Sequence, residues 1–310
     1  MVRQIASRLL VVGSLVSGAL VASALVSCVD TERPIYEASS RQVIPIPVCA
    51  KPLAPLRRKE SGGAVMRDLD PEEWLEVMVP EYEMEKGLES TATDCTGHYV
   101  FANETLRHGI VSNGWPYVVD PEVLDIRSGP RGVKVIRLRA LTFENGDVGG
   151  PIALARAVDD RAEIFGIGSY RGPADAKLSP VRMGNETMVV AEAKRCPDSH
   201  NCRKVADFYL ARRGRLVNAA TVDVERVLRV PSVTERGLYA EYHLRTDLSY
   251  TSEGVQLHEQ VKVKIIPYEK GDRDSDRILR TVEFARLLKV ERDTLFSTNE
   301  SLWERVVGQD

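Results

Sequence analysis

Hydrophobic and polar residues alternate along much of the chain after residue 98, and a period of two is typical of β-strands. The clearest case is "QVKVKII", residues 260–266, in which aliphatic residues alternate with two lysines. Turn signals such as "ENGD", "RRGR" and "TSEG" separate the strand-like segments. Since short turns join antiparallel neighbours, the sequence predicts a mainly β fold, an antiparallel meander forming a sandwich or a barrel.

Two segments predict short helices instead. "DLDPEEWLEV" has Asp70 in the capping position and Pro71 in the first helical position, followed by two acidic residues at the positive end of the helix. "STNESLWERVV" contains a capping box from Ser297 to Glu300, which predicts a short C-terminal helix. The segment "RILRTVEFARLLKV" fits a strand or a helix equally well.

The N-terminus has the layout of an export signal. Arg3 and Arg8 precede an apolar run, residues 9–25, that contains no Asp or Glu. The run of about 17 residues is at the lower limit for a membrane-spanning helix. An uncleaved anchor, or ordinary cleavage after Ala22-Ser23-Ala24, is the alternative interpretation.

The end of this run, Leu25-Val26-Ser27-Cys28, resembles the lipobox of bacterial lipoproteins. The resemblance implies that the Cys28 thiol receives a diacylglycerol, that the chain is cut before it and that the new amine is acylated. Two acyl chains already suffice for stable anchoring, so the implied partner is a membrane. Val29 stands where an Asp would retain such a protein at the inner membrane, which implies the outer membrane of the cell envelope.

Three regions follow from this pattern. Residues 1–27 are expected to be the signal peptide and residues 28–67 a proline-rich tether that ends in "LRRKESGGA". Residues 68–310 are expected to form a β-rich globular domain. The hydrophobic fraction of 43% and the charged fraction of 28% are those of a globular protein with a real core.

The charge balance of the chain argues against nucleic acid as a partner. The whole sequence has 42 Lys and Arg against 45 Asp and Glu. Removal of residues 1–27, which contain two arginines and no acid, leaves 40 against 45 and a net charge of −5. A nucleic-acid-binding protein needs the opposite balance or a basic face, and export points away from nucleic acid as well.

The sequence contains five cysteines: Cys28, Cys49, Cys95, Cys196 and Cys202. Lipidation would use Cys28 and leave four, an even number in an oxidising compartment. Cys196 and Cys202 bracket the polar loop "CPDSHNC" and are expected to close a hairpin, and Cys49 would then pair with Cys95 by elimination. A zinc site at Cys196, His200 and Cys202 is the less favoured alternative, because the ligands would be crowded.

The segment "GDVGGP", residues 146–151, resembles GDSGGP, the nucleophile loop of trypsin-like serine proteases. Val148 occupies the position of the attacking serine and has no oxygen, so an active protease of this kind is excluded. The segment is expected to be a glycine-rich hairpin turn, in which Asn145-Gly146 supports a positive φ. Three arginines in "ARRGR", Arg212, Arg213 and Arg215, are expected at another turn, either solvated or in contact with an anionic ligand.

The best metal candidate is a calcium loop in "DRDSDRILRTVE". Four acidic residues occupy the first, third, fifth and twelfth places of an EF-hand-like loop: Asp272, Asp274, Asp276 and Glu283. Arg277 occupies the sixth place, where that loop needs glycine for its sharp turn. A solvated acidic hairpin loop therefore explains the segment better, and calcium is the alternative.

No recognisable catalytic set emerges from the sequence, and no cofactor other than calcium is indicated. The favoured function is a lipid-anchored envelope protein, a non-catalytic module that binds an envelope protein, a glycan or a small ligand. An envelope hydrolase with an unidentified site and a calcium-stabilised adhesion or scaffold domain are the two alternatives.

Overall fold

The structure is a computed structural model that describes residues 46–54, 65–83, 88–89, 91–100, 110–113, 123–198, 201–233, 235–267 and 277–307. All of them belong to one compact unit, residues 42–310. The described strands are β1 (Cys49–Pro52), β2 (Ile110–Asn113), β3 (Leu124–Ser128), β4 (Val133–Leu138), β5 (Leu141–Phe143), β6 (Val148–Val158), β7 (Arg161–Gly172), β8 (Lys177–Met183), β9 (Glu186–Asp198), β10 (Asn201–Arg212), β11 (Arg215–Pro231), β12 (Leu238–Tyr250), β13 (Val255–Pro267), β14 (Arg277–Glu291) and β15 (Thr294–Phe296). The described helices are α1 (Pro71–Met78) and α2 (Leu302–Val307).

The described strands form one large sheet, and among them the pairing is antiparallel except where Arg215 pairs in parallel with Ile167. Its main path runs β15-β14-β13-β12-β11-β7-β6-β4-β3, and β10, β9 and β8 branch from β11. The predicted mainly β, antiparallel fold with a short C-terminal helix is confirmed. The path ends in two different strands, so the sheet is not a closed barrel.

The first layer contains β3, β4, β6 and β7, and α1 packs on its outer face. A capping box starts α1: the Asp70 side chain accepts the N–H of Glu73, and the Glu73 side chain accepts the N–H of Asp70. Trp74 and Met78 are fully buried against the sheet. The helix predicted in "DLDPEEWLEV" is therefore confirmed, and it covers one apolar face of the first layer.

The middle layer contains β8, β9, β10 and the first part of β11, and it is buried on both faces. Val189 and Val205 pack toward the first layer, whereas Val190 and Phe208 pack on the opposite side, against β13, β14 and β15. Hydrophobic residues on both faces explain why the β9 segment "MVVA" reads as a continuous apolar run.

The 17-residue strand β11 connects the middle layer to the last strands. Its first part pairs with β10 and its last residues, from Glu225 to Pro231, pair with β12. The remaining strands follow in order, and α2 packs on β12 and β13 through Leu302 and Trp303. A long strand with two successive partners lets the chain turn from one layer into the next.

Part of the predicted tether belongs to the sheet. Residues 49–52 form β1, which pairs with β7 from Cys49 opposite Ile164 to Pro52 opposite Arg161. Met66 makes an isolated bridge to Val158. Proline at the end of an edge strand removes no required hydrogen bond, which is why Pro52 is compatible with pairing here. Residues 28–45 and 55–64 of the predicted tether lie outside the described residues.

The C-terminal segments differ in detail from the prediction. "RILRTVEFARLLKV" is the strand β14, paired with β13 from Arg277 to Leu288. The last helix begins at Leu302, and its cap is Ser301, whose Oγ accepts the Glu304 N–H at 3.3 Å. The expected capping box at Ser297 is wrong because β15 continues to Phe296, and the Ser297 hydroxyl caps a turn by accepting the Asn299 N–H.

Candidate ligand-binding groove

Polar side chains interrupt the apolar face of the middle layer on β10. Val205, Asp207 and Tyr209 alternate with residues of the opposite face, so all three point toward the first layer. Asp207 is only 3% exposed. A buried carboxylate on an otherwise hydrophobic face costs free energy unless it is hydrogen-bonded. The partners of Asp207 therefore indicate the role of this part of the sheet.

Asp207 is held from two neighbouring strands. The Thr221 hydroxyl on β11 donates to Asp207 Oδ1 at 2.6 Å, and Arg195 Nη2 on β9 donates to Asp207 Oδ2 at 3.2 Å. The charge-assisted bond fixes the Arg195 guanidinium at the edge of the buried face. The carboxylate therefore positions a cation where the two layers separate.

A groove of about 930 Å³ opens at this place, between the turn before β6, the end of β7 and the β9–β10–β11 part of the middle layer. Its lining residues are Asn145, Gly146, Asp147, Ser169, Arg171, Pro173, Ala174, Lys194, Arg195, Cys196, Arg203, Asp207, Tyr209, Asn218 and Thr221. Most of these side chains are charged or carry a hydroxyl or amide. The groove can therefore bind a polar ligand through many hydrogen bonds.

The lining has an excess of positive charge. Three arginines, Arg171, Arg195 and Arg203, face two carboxylates, Asp147 and Asp207. Arg171 lies 3.8 Å from Asp147 Oδ2, and its guanidinium is 3.8 Å from the centre of the Phe143 ring. Stacking on an aromatic face holds an arginine in place without neutralising it.

The β9–β10 hairpin places like charges opposite one another at the rim of the groove. Arg195 is paired in register with Arg203 on the groove face, and Lys194 is paired with Lys204 on the opposite face of the hairpin. Like charges directly opposite across a sheet are destabilising. The disulfide Cys196–Cys202 closes the hairpin beside these pairs. Three of these four residues also have a carboxylate partner: Asp207 for Arg195, Asp223 for Arg203 and Glu192 for Lys204.

Two buried tyrosines lie next to Asp207. Burial raises the pKa of Tyr209 far above its usual range, and burial raises the pKa of Tyr170 to about 12. Their rings meet edge to face with centroids 6.2 Å apart. Both phenols are therefore uncharged at neutral pH.

A buried arginine fixes the loop that forms one wall of the groove. Arg137 is 2% exposed and donates to the carbonyls of Ala176 at 3.0 Å and Pro173 at 3.3 Å. Its guanidinium also lies 4.9 Å from the centre of the Tyr170 ring. Burial lowers the pKa of Arg137 to about 10, so it remains charged at neutral pH. This arginine orders the wall without lining the groove itself.

The two predicted disulfides are confirmed, Cys49–Cys95 and Cys196–Cys202. "GDVGGP" forms the β5–β6 hairpin as expected, with φ of 78° at Gly146. Gly150 explains the second part of the motif, because a Cβ there would lie 2.0 Å from the Leu138 carbonyl oxygen. The pattern that resembles a protease loop thus serves a tight turn and a close approach of two strands.

The arginines of "ARRGR" do not meet at the groove. Arg212 Nη2 donates to Glu186 and its Nε donates to the carbonyl of Arg292, both at 3.0 Å. Arg213 is in the turn, with φ of 49°. Arg215 Nη1 donates to the Thr96 hydroxyl at 3.1 Å. Arg212 and Arg215 therefore tie loops to the sheet, which favours a structural role for this cluster.

Several predicted site residues fall outside the described part of the chain: Cys28, His200, Asp272, Asp274 and Asp276. Glu283 is described and lies within β14, where it accepts a hydrogen bond from Gln260 at 2.5 Å. Across the described ranges no group of three or more His, Cys, Asp or Glu side chains is arranged to hold a metal ion. In the same ranges no helix is long and apolar enough to span a bilayer.

The groove is the feature that sequence reasoning missed. The signal for it is the basic residues on both sides of the disulfide loop, in "KRCPDSHNCRK". A closed hairpin must bring these flanks opposite each other. Comparisons with protein-family models, with curated proteins and with solved structures find no match for this chain.

Proposed function

We propose that the protein is a lipid-anchored module of the bacterial cell envelope, attached through Cys28 at the outer membrane, that binds a ligand in the groove between its first and middle layers. The observation that carries the binding role is the buried Asp207, which holds Arg195 at the opening of an otherwise apolar sheet face. A purely structural face would be filled by aliphatic side chains like the neighbouring Val205.

The anchor rests on the resemblance of residues 25–28 to a lipobox. Mass spectrometry of the protein made in a bacterial host tests it. An N-terminal peptide that begins at acylated Cys28, and that Cys28→Ala abolishes, is the expected result. A mature chain that begins elsewhere and carries no lipid would remove the anchor from the proposal.

The binding role is tested by photocrosslinking in cells that express the full chain. A photoreactive amino acid is placed at Asn145 or Asn218, two exposed residues of the groove lining, and at Arg245 as a matched exposed position on β12. Capture of the same envelope component from both groove positions, and not from position 245, is expected. Equal capture from all three positions, or capture from none, would contradict a ligand groove.

A further inference from the structure

The register of the β9–β10 hairpin indicates the sign of the ligand's charge. Arg195 and Arg203 lie opposite each other on the groove face and repel each other, as Lys194 and Lys204 do on the other face. A hairpin selected only for stability would place acidic residues on one of the two strands. The disulfide Cys196–Cys202 keeps the strands together in spite of the repulsion. An anion bound at the rim would relieve the repulsion between Arg195 and Arg203.

The nearby carboxylates neutralise the cluster only in part. Asp223 is shared, because it lies 3.8 Å from Arg203 and 3.2 Å from Arg226. On the groove face itself, three arginines remain against two carboxylates. Their planar guanidinium groups bind phosphate or carboxylate through two parallel hydrogen bonds. The formal excess of one positive charge favours a ligand with an anionic group.

The remainder of the lining indicates the body of that ligand. Hydroxyl and amide groups come from Ser169, Thr221, Asn145, Asn218 and Tyr209. Such groups match the alternating donors and acceptors of sugar hydroxyls. A protein partner would instead need apolar anchor pockets, and a volume of about 930 Å³ far exceeds a lone inorganic ion.

We infer that the ligand is an anionic glycan, a sugar chain whose phosphate or carboxylate group lies against Arg195 and Arg203; this inference rests on the proposed ligand groove. Asp207 positions Arg195 for this contact, and the disulfide Cys196–Cys202 holds the two basic flanks at the rim. The hydroxyl and amide side chains of the lining bind the sugar rings.

The test is calorimetric titration of the full-length chain, purified in detergent, with matched pairs of sugars. Trehalose 6-phosphate is compared with trehalose and trigalacturonate with maltotriose, and inorganic phosphate serves as the free anion. At least one anionic sugar is expected to bind about tenfold more tightly than its neutral partner, with an affinity that falls as NaCl is raised. The pair that shows this difference identifies phosphate or carboxylate as the recognised group.

A pair of variants localises the binding. Arg203→Glu is expected to weaken binding of the anionic sugar about tenfold, because it replaces an attractive contact by a repulsive one. Lys262→Glu makes the same charge change at an exposed residue of β13 outside the groove and is expected to leave the affinity unchanged. Equal weakening by both variants would show a nonspecific charge effect and overturn the inference.

Two further outcomes separate this inference from the function on which it rests. If neutral sugars bind as tightly as the anionic ones, or inorganic phosphate binds as tightly as the sugar phosphate, the anionic-glycan inference is wrong. If no sugar binds while crosslinking from Asn145 and Asn218 still captures an envelope component, the groove function stands and the ligand class is wrong.

Discussion

Arg195 lies directly opposite Arg203 across the β9–β10 hairpin. The pair is flanked by a disulfide on one side and by the buried Asp207 on the other. The hairpin therefore gives up stability to concentrate positive charge at the edge of a groove. The sheet layers beneath it, buried on both faces, provide the rigid support that such an arrangement requires.

The two disulfides are predicted to contribute unequally to stability. Cys49 and Cys95 are 46 residues apart, whereas Cys196 and Cys202 are six apart. Loop-closure entropy grows with loop length. Replacing both cysteines of the first pair by alanine should therefore lower the free energy of unfolding by about 4 kcal/mol, and replacing both cysteines of the second pair should lower it by about 2 kcal/mol. Urea denaturation of the two double variants measures this. The reverse order would show that relief of strain or repulsion outweighs loop closure.

Glu259 is predicted to hold the C-terminal helix on the sheet. It is 2% exposed, and it accepts the Leu302 N–H at 2.8 Å while Arg286 Nη2 lies 2.8 Å from its other oxygen. Glu259→Ala should lower the free energy of unfolding by about 3 kcal/mol, because it leaves the buried Arg286 without its carboxylate partner. Ser301→Ala, which removes only the helix cap, should cost about 1 kcal/mol. Similar losses from both variants in urea denaturation would refute this role for Glu259.

Glu241 is predicted to make stability fall in acid. Burial tends to raise its pKa, but hydrogen bonds from His243 and Arg229 outweigh burial and lower the pKa below the ordinary value of 4.5. A carboxyl with a lowered folded pKa contributes stability above its unfolded pKa, and this contribution is lost as the pH falls through the folded pKa. The free energy of unfolding of the wild type should therefore fall more steeply below pH 4.5 than that of Glu241→Gln. Parallel pH profiles for the two proteins would contradict the assignment.

Tyr170 is predicted to tolerate loss of its hydroxyl. Its phenolic oxygen is buried and, within the described residues, makes no hydrogen bond of normal geometry, although the Arg195 guanidinium lies near enough to lower its pKa slightly. Tyr170→Phe keeps the ring contacts with Arg137 and Tyr209 and should change the free energy of unfolding by less than about 1 kcal/mol, in the stabilising direction. Because the folded pKa is raised to about 12 from 10, wild-type stability falls as the pH rises from 10 to 12. The variant should lose less stability over that range, and an equal loss would refute the assignment.

The strand-rich fold could be predicted because its outer strands alternate so regularly, as "QVKVKII" does in β13. The sequence places the last helix too early because a capping box at Ser297 and the cap at Ser301 have the same local signature, and only the length of β15 decides between them. The pairing of Cys49 with Cys95 could be predicted by counting the cysteines. The strand at Cys49 could not be predicted, because its partner β7 lies more than a hundred residues away in the sequence.

The groove could not be predicted in the same way. The groove depends on Asp207 facing the first layer and on the first layer not covering Arg195. Both are properties of packing between strands that are distant in sequence. The basic flanks of "CPDSHNC" are visible in the sequence. Their role can be recognised only from the register that places Arg195 opposite Arg203 on the groove face.

The central claim is that the basic hairpin gives up stability in order to bind an anion. The most direct test is thermal unfolding of the wild type and Arg203→Glu, with and without the anionic sugar that binds the wild type. Without sugar the variant should melt at a higher temperature, by a stabilisation of about 0.5 kcal/mol, because the introduced carboxylate would face Arg195. With sugar the wild type should gain stability and the variant should not. A variant that melts lower without sugar, or that gains as much from the sugar as the wild type does, would contradict the account.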